Sequence, residues 1–288
     1  MWALFRVHVE AVPESSLRPR SGSSAKALLL TILGECVLPH DGSAWTSTLV
    51  CSLEELDVAE RNARQALARL RDQGLIAPER HGRRTRWHLT TPGAHLLTVG
   101  TERIYGFGND GDRWDRQWLV VFSPVPEEQR AKRHQLRSQL EFAGFGFLGS
   151  GVAVSPHVDR EDVANAVLRD LGLVDSAVVF RATIGSLYRP GDLLGRAWDV
   201  ESIAAGYEQF IEAFRARSPD TPPARFAALV DLVHEWRRFP FGDPEIPEAL
   251  LPAGWPGRHA KQLFDDRHAA WAPAANTWFE ARERAAGS

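Results

Sequence analysis

From Glu60 to Thr90 the chain runs ERNARQALARLRDQGLIAPERHGRRTRWHLT, and the chemistry on offer there is that of cations with few acids beside them. Eight arginines stand against three acids, Glu60, Asp72 and Glu79, which gives the stretch a net +5. The whole chain carries −3, so the remainder carries −8. Arginine supplies 31 of the 34 basic residues throughout, so its abundance decides nothing and its position must. A guanidinium can pair bidentately with a guanine edge, and the carboxamides of Asn and Gln can pair with adenine. The same cations also hold phosphates, without regard to sequence.

Other chemistries fail on spacing. HEWRR (His234 to Arg238) resembles the start of a zinc-protease helix, but the second histidine, due at position 238, is Arg238. That removes a required ligand and leaves Glu235 no metal-bound water to activate. The ten histidines form no other ligand spacing, and no Ser-His-Asp grouping or phosphate loop stands out. No catalytic residue, metal or cofactor is therefore expected. GFGF (Gly144 to Phe147) resembles the aromatic strand of an RNA-recognition module, but Ala143 stands where a basic residue is due. That strand should also be third in its sheet, whereas here it follows the first helix directly. Phe145 and Phe147 are better placed as core or dimer contacts.

The elements that position the arginines are legible. SSAKALLLTILGECVL (Ser23 to Leu38) spaces Leu28, Leu29, Ile32, Leu33 and Cys36 as a helix, with serines at its cap. WTSTLVCSLEEL turns Trp45, Leu49, Leu53 and Leu56 inward, and Asp57-Val58 makes a tight connection. AERNARQALARLRDQG then lines Ala63, Ala66, Leu67 and Leu70 along one face and ends at Gly74. Two strands follow, LIAPER and RRTRWHLT, with Leu75 and Ala77 alternating against Ile76 and a turn at His81-Gly82. Three helices followed by a hairpin make a winged helix-turn-helix. Arg61, Asn62, Arg64, Gln65 and Arg69 fall on its third helix, with Arg61, Arg64 and Gln65 opposite the apolar stripe, near the end that enters a major groove. Arg80, Arg83, Arg84 and Arg86 fall on the hairpin, placed for phosphates or an adjoining minor groove.

Farther on, Thr91-Pro92-Gly93 opens a helix to about Tyr105, and the Gly- and Asp-rich Asn109 to Asp112 is the expected hinge. QWLVVFS, PEEQRAKRHQLRSQLEFAG, GFGFLG, GVAVSP, EDVANAVLRDLG and DSAVVFRATIG follow in the order β-α-β-β-α-β, which is ferredoxin-like. That fold hosts many functions, so its site must decide. The small CRISPR-associated nucleases that share it need an acid at the end of the first strand, where this chain has Ser123-Pro124. From Tyr188 onward the pattern is helical with Pro-rich joints, its third long helix running from Trp255 to Ala272.

The fold class expected is therefore α+β and multidomain, in keeping with a length of 288 residues. The expected parts are a weakly ordered tail over 1–17, a winged helix and linker helix over 18–108, a ferredoxin-like part over 109–187 and a helical part over 188–288. No apolar run approaches the roughly 18 residues of a membrane span. MWALFRVHVE is interrupted by Arg6, His8 and Glu10, unlike a signal peptide. Cys36 and Cys51 then read as buried thiols in a reducing, cytoplasmic compartment.

An ordered set of stretches carries a family resemblance: RPRSGSSAKALLLTILGECV, ARQALARLRDQGLI, GRRTRWHLTTPG, RIYGFG, RWDRQWLVVF, LRSQLEFAGFGFLGSGVAVSP, GRAWDVESIAAGYEQFIEAF and HEWRRFPFGDPEIPEALLPAGWPGRHA. Over roughly residues 18 to 280 the chain resembles the PaaX family, bacterial repressors of phenylacetate catabolism. The resemblance implies a homodimeric repressor of three parts with a small-molecule effector, phenylacetyl-coenzyme A in the best-known members. It places the family's recognition-helix arginine on Arg64 and the arginine before its leucine on Arg69.

The expectation is thus a homodimer that binds a palindromic operator in double-stranded DNA and responds to an aromatic acyl-coenzyme A. An effector pocket is expected between the middle and C-terminal parts, with Arg181, Arg189 and Arg196 for phosphates and Trp198 and Tyr207 for an apolar wall. Two rivals stand beside it: a winged helix used for protein contacts within an assembly, and a ferredoxin-fold enzyme of RNA or nucleotide metabolism.

Overall fold

The computed structural model describes residues 24–108 and 114–288, so the tail expected over 1–17 and the hinge at Asn109 to Asp112 lie outside the described residues. The structure is mixed α+β, with two small antiparallel sheets and a helical C-terminal region. It divides into two compact units that do not follow chain order. The first gathers the residues up to Gly106 with Phe210–Arg237 and Lys261–Ser288; the second holds Phe107–Gln209 and Arg238–Ala260. Residues 188–288, expected as one part, are shared between the two.

In the first unit, α1 (Ala25–Ile32) starts where the Ser24 hydroxyl accepts from the Ala27 amide, a Ser cap of the ordinary kind. It continues over Leu33–Val37 as a wider turn in which the Leu38 N–H donates to Leu33 O, five residues back. After β1 (Ser43–Trp45) comes α2 (Thr46–Glu54), with Leu49 and Leu53 fully buried. Asp57 takes a left-handed φ of 60°, which Asp tolerates in tight turns, and the chain enters α3 (Glu60–Asp72). Ala63, Ala66, Leu67 and Leu70 are buried to a residue and hold α3 down. Gly74, at φ 70°, ends it.

The hairpin pairs β2 (Ile76–His81) with β3 (Arg84–Leu89), and β1 joins on the other side of β3. Its turn is Gly82-Arg83, one residue later than the expected His81-Gly82, because His81 still pairs with Arg84. Gly82 has φ 61°, the positive angle a tight hairpin turn needs at that place. The expected alternation around Leu75 also needs correction. Leu75 and Ile76 are both buried and Ala77 is exposed, since the Leu75 amide is spent on Leu70 O at the end of α3.

A linker helix α4 (Thr91–Gly106) follows. Its Gly93 passes so close to Leu75 that a Cβ there would lie 2.0 Å from Leu75 O.

The second unit carries a four-stranded sheet, and its chain order alternates strands with helices. β4 (Trp118–Phe122) leads to α5 (Arg130–Phe142), then β5 (Gly146–Gly149) and β6 (Val152–Ser155), then α6 (Glu161–Asp170) and β7 (Val178–Ala182). The sheet order is β5-β6-β4-β7, antiparallel throughout. Side chains alternate between its faces as strand geometry requires. Leu119, Val121 and Ala153 pack with Leu136 and Leu140 of α5 and Ala164, Val167 and Leu168 of α6. Trp118 and Val154 face the other way, onto Leu194, Ile246 and Leu250.

Three further helices complete the chain's long elements: α7 (Val200–Arg215), α8 (Pro222–Trp236) and α9 (Gly257–Gly287). α8 starts at a Thr221 cap with Pro222 and Pro223 behind it. In the first unit Trp236 stacks on Phe264 with centroids 4.8 Å apart, and its indole N–H donates to Ile104 O. α9 does not stop at Ala272 as expected but runs through Pro273 to Gly287. Burial of Trp271, Ala275, Trp278 and Phe279 on either side of the proline outweighs the one hydrogen bond it removes.

Candidate nucleic-acid interface

The buried side of α3 determines what its outer side shows. With four apolar residues fixed inward, Arg61, Asn62, Arg64, Gln65 and Arg69 are all exposed. Glu60, Arg61, Arg64, Gln65 and Ala68 line one shallow depression on the first two turns. Small Ala68 leaves that depression open, so the longer side chains stand around it. Arg64 is tethered to Glu60 at 2.7 Å, one turn back, with both side chains more than half exposed. Arg71 is paired with its neighbour Asp72 at 2.8 Å. Arg61, Arg69, Arg80 and Arg83 have no ion-pair partner among the described residues.

The hairpin arginines split into two pairs. Arg80 is exposed on β2, and Arg83 is exposed in the turn, where the shifted register puts it at the tip. Arg84 and Arg86 lie two residues apart on one face of β3 and are turned toward Trp45, their Cζ atoms 5.3 and 5.6 Å from its ring centroid. Arg86 also donates to Asp41 Oδ2 at 2.6 Å, and Arg84 Nη1 donates to Ala286 O at 2.6 Å. These two were expected to face a ligand beside Arg83; the ring of Trp45 and the end of α9 draw them back.

Burial alone would push the Asp41 carboxyl up. Hydrogen bonds from the Ser43 hydroxyl and amide, with Arg86 alongside, outweigh that and hold it below the usual carboxylate range. Trp45, Asp41 and Ala286 had no assigned part in the sequence reading. Trp45 has only the inward, core place its helical spacing gives it, and nothing in the sequence links Ala286 to a strand 202 residues earlier.

The residues expected to hold an effector all lie in the second unit, and the side chains of Arg181, Trp198 and Tyr207 are engaged there. Arg181 donates twice to Glu161 Oε2, at 2.9 and 2.8 Å. Arg189 lies exposed at the start of the turn Pro190–Leu193, its amide bonded to Asp192, and Arg196 is exposed as well. Trp198 packs on Trp118 in the apolar cluster with Leu194. Tyr207 is buried, stacked on Phe239 at 4.2 Å, and its hydroxyl donates to Asp243 Oδ2 at 2.6 Å. Burial, then the charge of Asp243, pushes the Tyr207 phenol far up, so it stays protonated.

Phe145 is buried and Phe147 is half-buried beneath Arg137, so GFGF presents no open aromatic surface. Buried His234 sits 3.5 Å from the Thr31 hydroxyl, and among the described residues no group of three or more His, Cys, Asp or Glu is arranged to hold a metal. No helix of the described residues is long and apolar enough to cross a membrane.

Three family models match the chain: the PaaX-like protein model over residues 24–93, the PaaX protein central Cas2-like domain over 111–193, and the PaaX-like protein C-terminal domain over 198–281. The transcriptional repressor PaaX of Escherichia coli (strain K12) is 32% identical over 268 residues, covering 89% of this chain and 82% of that protein. An uncharacterized protein of Mycobacterium tuberculosis, Rv0674, has a similar fold, with a TM-score of 0.60 at 22% identity over 88% of this chain and 98% of the other.

Proposed function

The chain belongs to the PaaX family, and on that premise we propose that it is a DNA-binding transcriptional repressor, a regulator and not an enzyme. The described residues of the part over 18–108 act as a winged helix-turn-helix with its linker helix, with α3 in the major groove and the β2–β3 hairpin as the wing. The observation that carries this reading is the outer face of α3, where Arg61, Arg64 and Gln65 stand exposed around one depression while their apolar neighbours are fixed inward. Arg64 and Gln65 have the groups that pair with guanine and adenine edges, and Arg83 and Arg80 meet phosphates.

The working form is a homodimer on a palindromic operator, its half-sites about one helical turn, roughly 10 base pairs, apart or a multiple of that. The ferredoxin-like second unit supports self-association. Its strand β7 closes the sheet with no further partner among the described residues, and Val178, Phe180 and the neighbouring Phe122 are about half exposed there. A small-molecule effector, such as an aromatic acyl-coenzyme A, relieves repression of an aromatic-catabolic operon in the cytoplasm. A 100-fold loss of operator affinity on binding it corresponds to about 2.7 kcal/mol of coupling.

A salt titration of binding to labelled duplex tests the proposal against the rival of a winged helix used for protein contacts. Each phosphate neutralised releases counterions, so affinity falls steeply between about 50 and 200 mM salt. Duplex affinity that is absent, or indifferent to salt, contradicts the proposal.

A further inference from the structure

The end of α9 touches the three-stranded sheet at more than one place, once on the hairpin and otherwise at and before β1. Glu283 Oε1 accepts from the Trp45 main-chain N–H at 2.9 Å, and Ala286 O accepts from Arg84 Nη1 at 2.6 Å. One turn back, Glu280 pairs with His40 at 3.1 Å, in the turn that leads to β1. Gly287 comes so close to Trp45 that a Cβ there would lie 3.3 Å from its indole nitrogen.

The last carbonyls of a helix have no partner within it and carry the negative end of its dipole. Arg84 satisfies one of them and at the same time covers the Trp45 ring. Trp45 is the residue paired with Arg86 in the sheet, and Arg86 covers the same ring. One ring therefore sits between the backbone of β3, two of its arginines and the end of the C-terminal helix. Arg84 also follows the turn residue Arg83 directly.

We propose that Glu283 and the Ala286 carbonyl are positioning groups for DNA binding. They hold Trp45 and Arg84, and through them fix the hairpin so that Arg83 at its tip meets a phosphate. The C-terminal turns of α9 are on this account part of the DNA-binding element, although they lie at the far end of the chain. The inference rests on the wing reading proposed above and adds to it the groups that set the wing.

The test uses the full chain, with Glu283→Gln, Glu283→Ala, Arg83→Ala, the double variant and a chain ended at Arg282. Each is titrated with a labelled mixed-sequence duplex across a salt series, beside a thermal melt. Glu283→Gln keeps the Oε1 acceptor and binds like the parent. Glu283→Ala and the shortened chain weaken binding by about three- to tenfold and flatten the salt slope by about one. In the Arg83→Ala background Glu283→Ala has no further effect, because the contact it serves is already gone. A loss caused only by general destabilisation would add to that of Arg83→Ala and would follow the melting temperature. Should the shortened chain fail to fold, Glu283→Ala and the double variant still decide. The proposal is overturned if Glu283→Ala and the shortened chain bind with parental affinity and slope, or if the two substitutions add. It is equally overturned if removing the helix end tightens binding, since Ala286 would then be competing for Arg84. A parent that shows no salt-dependent binding refutes the wing reading itself, which is a separate result.

Discussion

Glu60 Oε1 lies 2.7 Å from Nη2 and 2.8 Å from Nε of Arg64, one turn apart on α3. Both side chains are more than half in water, where an i,i+4 pair contributes only about 0.3–0.5 kcal/mol. The contact thus restrains the guanidinium near the depression without locking it. On the reading proposed above, a bound duplex draws Arg64 to a base edge, and the carboxylate left behind would then stand near phosphates.

Removing that charge should favour duplex binding. Glu60→Gln is expected to tighten the affinity for mixed-sequence DNA by about two- to fivefold at low salt, an advantage that fades as salt rises. Fluorescence anisotropy over a salt series checks it; weaker binding would mean that Glu60 positions Arg64 for the duplex.

The Asp41–Arg86 pair has a pH signature. The carboxyl is held below the usual range in the folded state, so its contribution to stability is fully present above the unfolded-state value of about 3.9 and is lost as pH falls through the folded-state value. Asp41→Asn removes this component. The melting-temperature difference between parent and variant should be constant from about pH 8 to 5 and shrink below about pH 4.

Gly93 has no room for a side chain, because its place in α4 brings the missing Cβ to 2.0 Å from Leu75 O. Gly93→Ala has to move the start of α4 off the Leu75 main chain, just before β2, and an overpacking cost of about 1–3 kcal/mol is expected in urea denaturation. No change in the denaturation midpoint would mean that the contact is loose.

The two thiols should differ in reactivity. Burial, and then the charge of Glu35, pushes the Cys36 thiol far up, whereas Cys51 is only partly buried and is raised chiefly by that burial. Since the thiolate is the reactive form, a maleimide at neutral pH should label Cys51 first and Cys36 only on unfolding. Mass spectrometry of the native protein distinguishes the two sites.

What could be read in the sequence was what periodicity dictates. Ala63, Ala66, Leu67 and Leu70 recur at helical spacing, and their burial alone puts Arg61, Arg64 and Gln65 outside. The strands of the second unit announce themselves by short apolar runs, bounded by glycines at β5 and closed by Ser-Pro at β4 and β6. The hairpin turn was misplaced by one residue because both His81 and Arg83 flank Gly82 plausibly, and only the pairing of His81 with Arg84 decides between them. The extension of α9 was hidden by Pro273, a helix breaker by propensity that the burial of Trp278 and Phe279 overrides. The contacts of Trp45 with Arg84, Glu283 and Gly287 join segments distant in the chain, which no local pattern reports.

The most direct measurement compares the parent with Arg64→Ala on two duplexes, one enriched by the parent from a random pool and one with the same bases scrambled. The account predicts that Arg64→Ala loses about 1–3 kcal/mol of preference for the enriched duplex while keeping most of its affinity for the scrambled one. An unchanged preference would contradict it, because α3 would then not be the element that reads the bases.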